Sequence, residues 1–162
     1  MLKTKKIGVI GGGKMGSALI SGIISRDLIP AGNVTVSDVA KERREDLKKT
    51  CGVNASDDNK KTVKDADIII LAVKPQNMAE ILQETAGAFD KGKLIISIAA
   101  GISTPYIEGY LKKGVRVIRV MPNTPAMIGE GAAAITGGAN ATDEDMALAR
   151  YIFEALGITV FV

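Results

Sequence analysis

The sequence has 162 residues, of which 46% are hydrophobic and 24% charged, a composition typical of one globular domain with a substantial core. Its net charge of +3 suits an anionic ligand but is too small to indicate nucleic acid, and 4% aromatic residues provide no stacking platform for single strands. The absence of histidine excludes Ser-His and Cys-His catalytic pairs and, because Cys51 is the single cysteine, no metal site is predicted.

Cysteine content and apolar run length also bear on location. A single cysteine forms no internal disulfide, and a reducing compartment is the simplest setting for such a chain. No apolar run reaches the ~18 residues of a membrane helix. The basic residues 1–6 lead directly into a strand pattern, unlike a signal peptide. We therefore expect a cytoplasmic protein without membrane contacts.

A strand pattern at residues 7–10 stops at three consecutive glycines, and a helical pattern then runs to about Arg26. Gly11, Gly13 and Gly16 form a G-x-G-x-x-G arrangement. The first glycine permits a sharp turn, the second permits close approach of a pyrophosphate, and the third lets the helix lie close to the sheet. Free N–H groups at the helix start would face the phosphates. The stretch predicts a dinucleotide site; the alternative is a purely structural turn.

Strand and helix patterns alternate along the rest of the chain. Further strands are predicted at residues 34–36, 53–55, 67–73, 93–98, 115–120, 131–136 and 158–162. Further helices are predicted at residues 40–50, 57–64, 75–87 and 106–112, with a last one capped by Thr142 and Asp145. This alternation predicts a Rossmann-like, doubly wound α/β fold, with a mostly parallel sheet and helices on both faces. We expect one dinucleotide-binding domain over residues 1–162.

Four loops follow the carboxyl ends of predicted strands, which is where ligands bind in doubly wound sheets. They are residues 11–15, 72–76, 99–102 and 121–125, and all are small, polar or fixed by proline. A dinucleotide lying across the sheet would touch them in succession. The alternative for any single loop is a short connection without a ligand.

The charge of Asp38, about 22 residues after Gly16, bears on the choice of cofactor. An acid near this position usually accepts hydrogen bonds from the adenosine ribose and disfavours a 2′-phosphate. Nearby cations could favour NADP instead, or simply solvate a surface helix: Lys41, Arg43, Arg44, Lys60 and Lys61. The residues alone leave NADPH and NADH both open.

Three further polar residues have two interpretations each. Lys74 ends a fully apolar strand pattern and is either a phosphate contact or a solvated turn residue. Asn123 and Thr124 lie between two prolines, where they could bind a nicotinamide carboxamide or stabilise a turn.

Four stretches carry a resemblance to a known family. They are residues 7–16 (IGVIGGGKMG), 72–75 (AVKP), 97–102 (SIAAGI) and 121–126 (MPNTPA). In their order and spacing they resemble the N-terminal half of pyrroline-5-carboxylate reductase, the enzyme that makes proline, over essentially the whole chain.

The resemblance implies a set of cofactor-binding residues. The pyrophosphate would be bound by Ile10, Gly11, Gly12, Gly13, Lys14 and Met15. The adenosine end would involve Ser37, Asp38 and Asn59, and the cofactor would also be lined by Ala72, Val73, Lys74 and Pro75. The nicotinamide and substrate would lie near Ala99, Ala100, Gly101, Asn123 and Thr124. Family members often carry Ser, Thr or Asn at the position of Asp38, and NADPH is their usual cofactor.

The implied reaction is hydride transfer from NADPH or NADH to the C=N carbon of a cyclic imine, which gives L-proline. No catalytic side chain is assigned. Family members continue into a helical domain that forms the dimer, so we expect this chain to bind cofactor but to have little activity alone. A homo-oligomer is implied for the full-length enzyme, and apolar surface near Ile128 and residues 161–162 is expected to drive self-association.

Two other functions remain open from the residues. One is another two-domain NAD(P)-dependent dehydrogenase, such as a hydroxyacid or prephenate-type enzyme. The other is a non-catalytic module that senses a dinucleotide.

Overall fold

The computed structural model describes residues 2–162, and within them one eight-stranded sheet separates two layers of helices. The strands are β1 (Ile7–Ile10), β2 (Val34–Ser37), β3 (Asn54–Ser56), β4 (Ile68–Leu71), β5 (Leu94–Ser97), β6 (Arg116–Pro122), β7 (Gly131–Gly137) and β8 (Gly157–Phe161). The helices are α1 (Lys14–Ser25), α2 (Lys41–Cys51), α3 (Asn59–Asp65), α4 (Met78–Thr85), α5 (Thr104–Glu108) and α6 (Asp143–Phe153). Short 3₁₀ helices lie at Ala31–Asn33, Pro75–Asn77, Ala86–Ala88, Thr124–Ile128 and Glu154–Leu156.

The strand order is β3-β2-β1-β4-β5-β6-β7-β8. All neighbouring strands are parallel except β6 and β7, which are antiparallel. The central strands β1 and β4 are buried along their whole length, as their continuous apolar sequences require for strands covered on both faces. The predicted Rossmann-like, doubly wound and mostly parallel fold is confirmed.

Helices cover both faces of the sheet because the strand side chains alternate between two apolar clusters. One cluster joins even-numbered β6 positions such as Ile118 to Leu19 of α1 and Ile152 of α6. The other joins Val117 to Leu82 of α4 and Ile107 of α5. Because helices cover both faces of the sheet, the loops after the strands lie at the edge formed by the carboxyl ends of the strands.

Two predicted elements have different bounds in the structure. The helix predicted at 106–112 is the five-residue α5, which begins earlier because Ser103 caps it by accepting a hydrogen bond from the Tyr106 N–H. The strand predicted to end at Val120 continues as β6 through Pro122, because its last residues pair with Ala134 and Ala133 of β7. Antiparallel pairing with a later segment is a tertiary contact that local sequence does not indicate.

The predicted cap of α6 is confirmed as a capping box. The Thr142 hydroxyl accepts a hydrogen bond from the Asp145 N–H at 3.1 Å, and the Asp145 carboxylate accepts one from the Thr142 N–H at 3.0 Å. The other carboxylate oxygen of Asp145 lies 2.5 Å from the Arg116 guanidinium. This buried acid therefore fixes the helix to β6. None of the helices within residues 2–162 is long and apolar enough to span a membrane.

Candidate dinucleotide-binding site

The strand order reverses direction at β1, which has β2 on one side and β4 on the other. In the register of these strands, Ile10 lies opposite both Ser37 and Leu71. The Gly11 N–H donates to the Ser37 carbonyl, and the Ala72 N–H donates to the Ile10 carbonyl, each at 2.8 Å. The loops after β1, β2 and β4 are thus joined at one edge. This reversal point is where doubly wound sheets bind their ligands.

The turn after β1 requires glycine at two of its positions. Gly11 has a φ of +106°, and a Cβ atom there would overlap the Ala72 carbonyl. A Cβ atom at Gly16 would overlap the Gly11 carbonyl, because α1 lies against the turn. At Gly13, by contrast, a Cβ built there meets no atom within 4 Å in residues 2–162, apart from Gly13 itself and its two chain neighbours. The backbone at Gly13 therefore borders open space, as a site for a pyrophosphate requires.

The first turn of α1 presents free backbone donors to this space. Gly13 is the N-cap, and no side chain in the described part of the chain makes a capping hydrogen bond there. The Ser17 hydroxyl donates to the Gly12 carbonyl at 2.8 Å, which fixes the loop without using an N–H group. Lys14 is exposed at the helix start. Free N–H groups, the helix dipole and a cation together favour an anion at this point.

Asp38 follows β2 and points inward. Its Oδ2 atom accepts a hydrogen bond from the Gly12 N–H, and its Oδ1 atom accepts one from the Ala40 N–H, both at 2.7 Å. The side chain is only 6% exposed, and the Arg43 guanidinium lies 3.6 Å from Oδ2. Asp38 therefore connects the glycine loop to the start of α2.

Ser37 and Asn59 form the opposite wall at the end of β2. The Ser37 hydroxyl donates to Asn59 Oδ1 at 2.5 Å, and Asn59 Nδ2 donates to Glu84 Oε2 at 3.3 Å. These bonds fix the orientation of the Asn59 amide at the wall of the cleft.

The loops enclose a cleft of about 580 Å³, within the usual range for cofactor sites. Ten of the residues predicted to bind cofactor line it: Ile10, Gly11, Gly13, Lys14, Ser37, Asp38, Asn59, Ala72, Val73 and Lys74. Four lining residues were not among those predicted: Val39, Arg43, Asn77 and Ile81. Asn77 and Ile81 lie four positions apart after the Lys74 turn, and this helical spacing is the signal that could have identified them.

Three predicted residues from the loops around the cleft do not line it. Gly12 is buried, and its N–H is bound by Asp38. Met15 packs against the apolar cluster under α1. Pro75 is exposed and begins the 3₁₀ helix that leads into α4.

The residues predicted at the nicotinamide end lie outside this cleft, after β5 and β6. Ala99 is buried, whereas Ala100 and Gly101 are exposed. Asn123 and Thr124 are also exposed, and Asn123 Oδ1 accepts a hydrogen bond from the Ala132 N–H at 3.0 Å. That bond joins the loop after β6 to β7. All five residues lie at the same carboxyl edge of the sheet as the cleft. They follow β5 and β6, which are the second and third strands from β1 in the sheet order.

A larger hollow of about 930 Å³ lies between α3 and α4. Charged side chains such as Lys60, Lys64 and Asp65 line much of it, and no glycine-loop residue does. Within residues 2–162, no three His, Cys, Asp or Glu side chains gather into a group that could hold a metal ion. The glycine loop and the other polar residues predicted to bind cofactor line the cleft at β1 instead.

Comparison with known proteins agrees with this geometry. A family model described as "NADP oxidoreductase coenzyme F420-dependent" matches residues 6–101, from the start of β1 to the loop after β5. This chain belongs to that family of NADP oxidoreductases. The matched residues include the glycine loop, Asp38, Asn59 and the loop after β4.

Within the NADP oxidoreductases, this chain is similar to proteins named pyrroline-5-carboxylate reductase, which confirms the resemblance found in the sequence. One from Methanosarcina acetivorans is 44% identical over 161 residues, which are 99% of this chain and 60% of the relative. The solved structure of one from Coxiella burnetii has a TM-score of 0.94 and 31% identity, over 99% of this chain and 59% of the other. A pyrroline carboxylate reductase from Plasmodium falciparum, solved with NADP bound, has a TM-score of 0.88 and 29% identity, over 100% of this chain and 59% of the other. The chain thus spans about three-fifths of the length of these relatives.

Proposed function

We propose that this chain is the cofactor-binding part of a pyrroline-5-carboxylate reductase and that residues 1–162 form one dinucleotide-binding domain. One observation carries the proposal. Within residues 2–162, the N-terminus of α1 has no side-chain cap and borders open space at Gly13, at the point where the strand order reverses. The 44% identity to a pyrroline-5-carboxylate reductase supports the choice of reaction.

The chain's own residues would hold NADPH or NADH along the carboxyl edge. N–H groups of the first turn of α1, with Lys14, would bind the pyrophosphate. Ser37 and Asn59 would bind the adenosine end, and Val73 would pack against the cofactor beside the turn after β4. Residues 99–101 and Asn123 would lie toward the nicotinamide.

When bound, the cofactor supplies the hydride that reduces the C=N carbon of 1-pyrroline-5-carboxylate to L-proline. The chain's contribution to this chemistry would be positioning, because orientation of two reactants is itself a large part of catalysis. The relatives are longer than this chain, so we propose that residues 1–162 alone reduce the imine weakly. We further propose a cytoplasmic enzyme that assembles as a homo-oligomer.

The proposal is tested by titrating the purified chain with NADPH while following nicotinamide fluorescence. Saturable binding, together with NADPH oxidation on addition of pyrroline-5-carboxylate, would support a reductase of cyclic imines. NADPH oxidation by a hydroxyacid's keto form, or reduction of NADP⁺ by prephenate, would instead support one of the other dehydrogenases. Failure to bind either NADPH or NADH would refute the assignment of the cleft. Rapid proline formation by this chain would refute only the expectation of weak activity alone.

A further inference from the structure

The two faces of the sheet are covered unequally at its β8 end. Helix α6 packs on one face of β7 and β8, where Ile135 is buried and Arg150 lies over the Phe161 ring. Because side chains alternate along a strand, the intervening residues of β7 and β8 point to the opposite face. On that face Ile158 is 70% exposed and Val160 is 51% exposed. An apolar surface of the sheet therefore faces solvent.

The strand register shows which residues form this surface. Met121 of β6 lies opposite Ala134 of β7, which in turn lies opposite Val160 of β8. In a neighbouring row Ala132 lies opposite Ile158. We call these five residues the β6–β8 face. A contiguous apolar surface of this kind is typical of an interaction site.

One cation borders the β6–β8 face. Arg119 is two residues before Met121 on the same side of β6, and it lies opposite Thr136 of β7. Its Nε atom is buried without a hydrogen-bond partner in residues 2–162, and no ion pair in that range includes its guanidinium. A partner that covered the face without an acid would leave this charge desolvated and unpaired, which is costly. The occupant of the face therefore has to bring a carboxylate to Arg119.

This chain carries such a carboxylate at the other end of the same face. Glu130 is exposed and precedes Ala132 by two residues, so it follows the alternation of the face. Pro122 pairs with Ala133 in the antiparallel register, and Arg119 and Glu130 lie three residues, or about 10 Å, to either side of that pair. A two-fold axis through the pair, parallel to the sheet and perpendicular to its strands, would set Arg119 of each copy against Glu130 of the other.

We infer that the β6–β8 face binds a second copy of this chain, in a two-fold pair with two reciprocal Arg119–Glu130 contacts. The inference rests on the homo-oligomer proposed above, for which it names the contact surface, and it does not depend on the cofactor cleft. The apolar side chains supply the buried area, and the ion pairs fix the relative orientation of the two copies. A face of this size fits a dimer that forms at high concentration.

The test is sedimentation equilibrium of the 162-residue chain over a series of concentrations. We expect a monomer–dimer equilibrium with a dissociation constant on the order of 10 μM. Val160→Lys should raise that constant at least about tenfold, because it places a cation in the apolar row of each copy. Val160 is half exposed, so the variant should remain folded.

Arg119→Glu and Glu130→Arg test the reciprocal contact. Each variant alone sets like charges against each other, and its dissociation constant should rise about 100-fold. An equimolar mixture of the two variants should form a heterodimer with nearly the natural affinity, because each contact then joins an acid to a guanidinium again. Lys41→Glu is the matched control, because it reverses an exposed charge on α2, which packs against β2 and β3 at the other end of the sheet. Circular dichroism checks each variant, and Glu130→Arg carries the test alone if Arg119→Glu does not fold.

The outcomes separate this inference from the proposed cofactor site. A natural chain that stays monomeric, a dimer that persists in Val160→Lys or in Glu130→Arg, or a mixture of folded variants that stays monomeric would each overturn the inference. NADPH titration of the same variants should give the affinity of the natural chain, since none of the altered residues lines the cleft. Failure of the natural chain to bind NADPH would refute the cleft and leave the dimer face in place.

Discussion

Helices α1 and α6 are nearly equal in length, but their first turns are built in opposite ways. In α6, Thr142 and Asp145 satisfy backbone N–H groups, and Asp143, Glu144 and Asp145 place negative charge against the helix dipole. In α1, the N-cap is Gly13, no side chain of residues 2–162 makes a capping bond, and the first turn begins with Lys14 and has no acid.

The difference distinguishes a helix start that is stabilised by its own side chains from one whose N–H groups are left for another partner. A side-chain cap contributes about 1 kcal/mol, and acids in the first turn add about 0.3–1 kcal/mol each. Helix α1 forgoes both contributions. Its N–H groups and positive dipole end remain available to an anion that is not part of the chain.

The largest expected effect is that of Gly11→Ala, which removes the turn on which the start of α1 depends. A Cβ atom would overlap the Ala72 carbonyl in a backbone conformation with φ of +106°. We expect a loss of about 2–4 kcal/mol in the free energy of unfolding, measured by urea denaturation. Gly32→Ala is the control, because its Cβ position has no atom within 4 Å in residues 2–162 apart from Gly32 and its two chain neighbours. Equal midpoints for the two variants would contradict the prediction.

Gly13→Ala should weaken cofactor binding while leaving the stability of the fold nearly unchanged. The added methyl group meets open space in the protein, so the free energy of unfolding should change by less than about 1 kcal/mol. The same methyl group would stand where a pyrophosphate approaches, so NADPH binding should weaken by about 100-fold, or roughly 2.7 kcal/mol. Fluorescence titration measures this, and Gly32→Ala again provides the control. Undiminished NADPH affinity would mean that the phosphates lie elsewhere.

Lys14→Glu gives α1 the kind of first turn that α6 has. The acid should interact favourably with the helix dipole and raise the free energy of unfolding by about 0.3–1 kcal/mol. It should also weaken NADPH binding by about tenfold through repulsion of the phosphates. Thermal denaturation and NADPH titration of one preparation measure the expected gain in stability and the expected loss of affinity. The control Lys14→Gln removes the cation without adding an acid. Parallel changes in stability and affinity would argue against an anion site at this helix.

Thr142→Ala makes the start of α6 resemble that of α1. Loss of the hydroxyl acceptor should lower the free energy of unfolding by about 1 kcal/mol, without changing NADPH affinity. Urea denaturation of Thr142→Ala beside Thr142→Ser, which keeps the hydroxyl, measures the cap alone. A change in cofactor affinity would show that the two helix starts are not independent.

Much of the fold could be predicted because its signals are local. The apolar run of β4, the glycine turn after β1 and the capping box of α6 each follow from side-chain chemistry within a few residues. The antiparallel pairing of β6 with β7 could not be predicted in this way, because the pairing joins residues such as Met121 and Ala134 across a turn without a regular hairpin signal. Strand direction is a property of the assembled sheet.

The predictions of the candidate site also separate into those with a signal in the sequence and those decided by the assembled sheet. Sequence spacing predicted that Gly13 and Lys74 lie at one edge of the sheet, since parallel strands end there, and the family resemblance added Asn59. Residues 99–101 and Asn123 share that edge, yet the strand order sets them two and three strands from β1, outside the cleft.

Asp38 shows most clearly what the sequence left open and the tertiary structure decided. The sequence by itself determined that an acid stands at the end of β2, near the start of the glycine loop. Only the tertiary structure decided its direction, because the Gly12 N–H and the Ala40 N–H come from separate segments and meet at its carboxylate after β1 and β2 have paired. The same assembly brings Arg43 to the cleft, whereas the sequence did not indicate which of its several surface cations would line it.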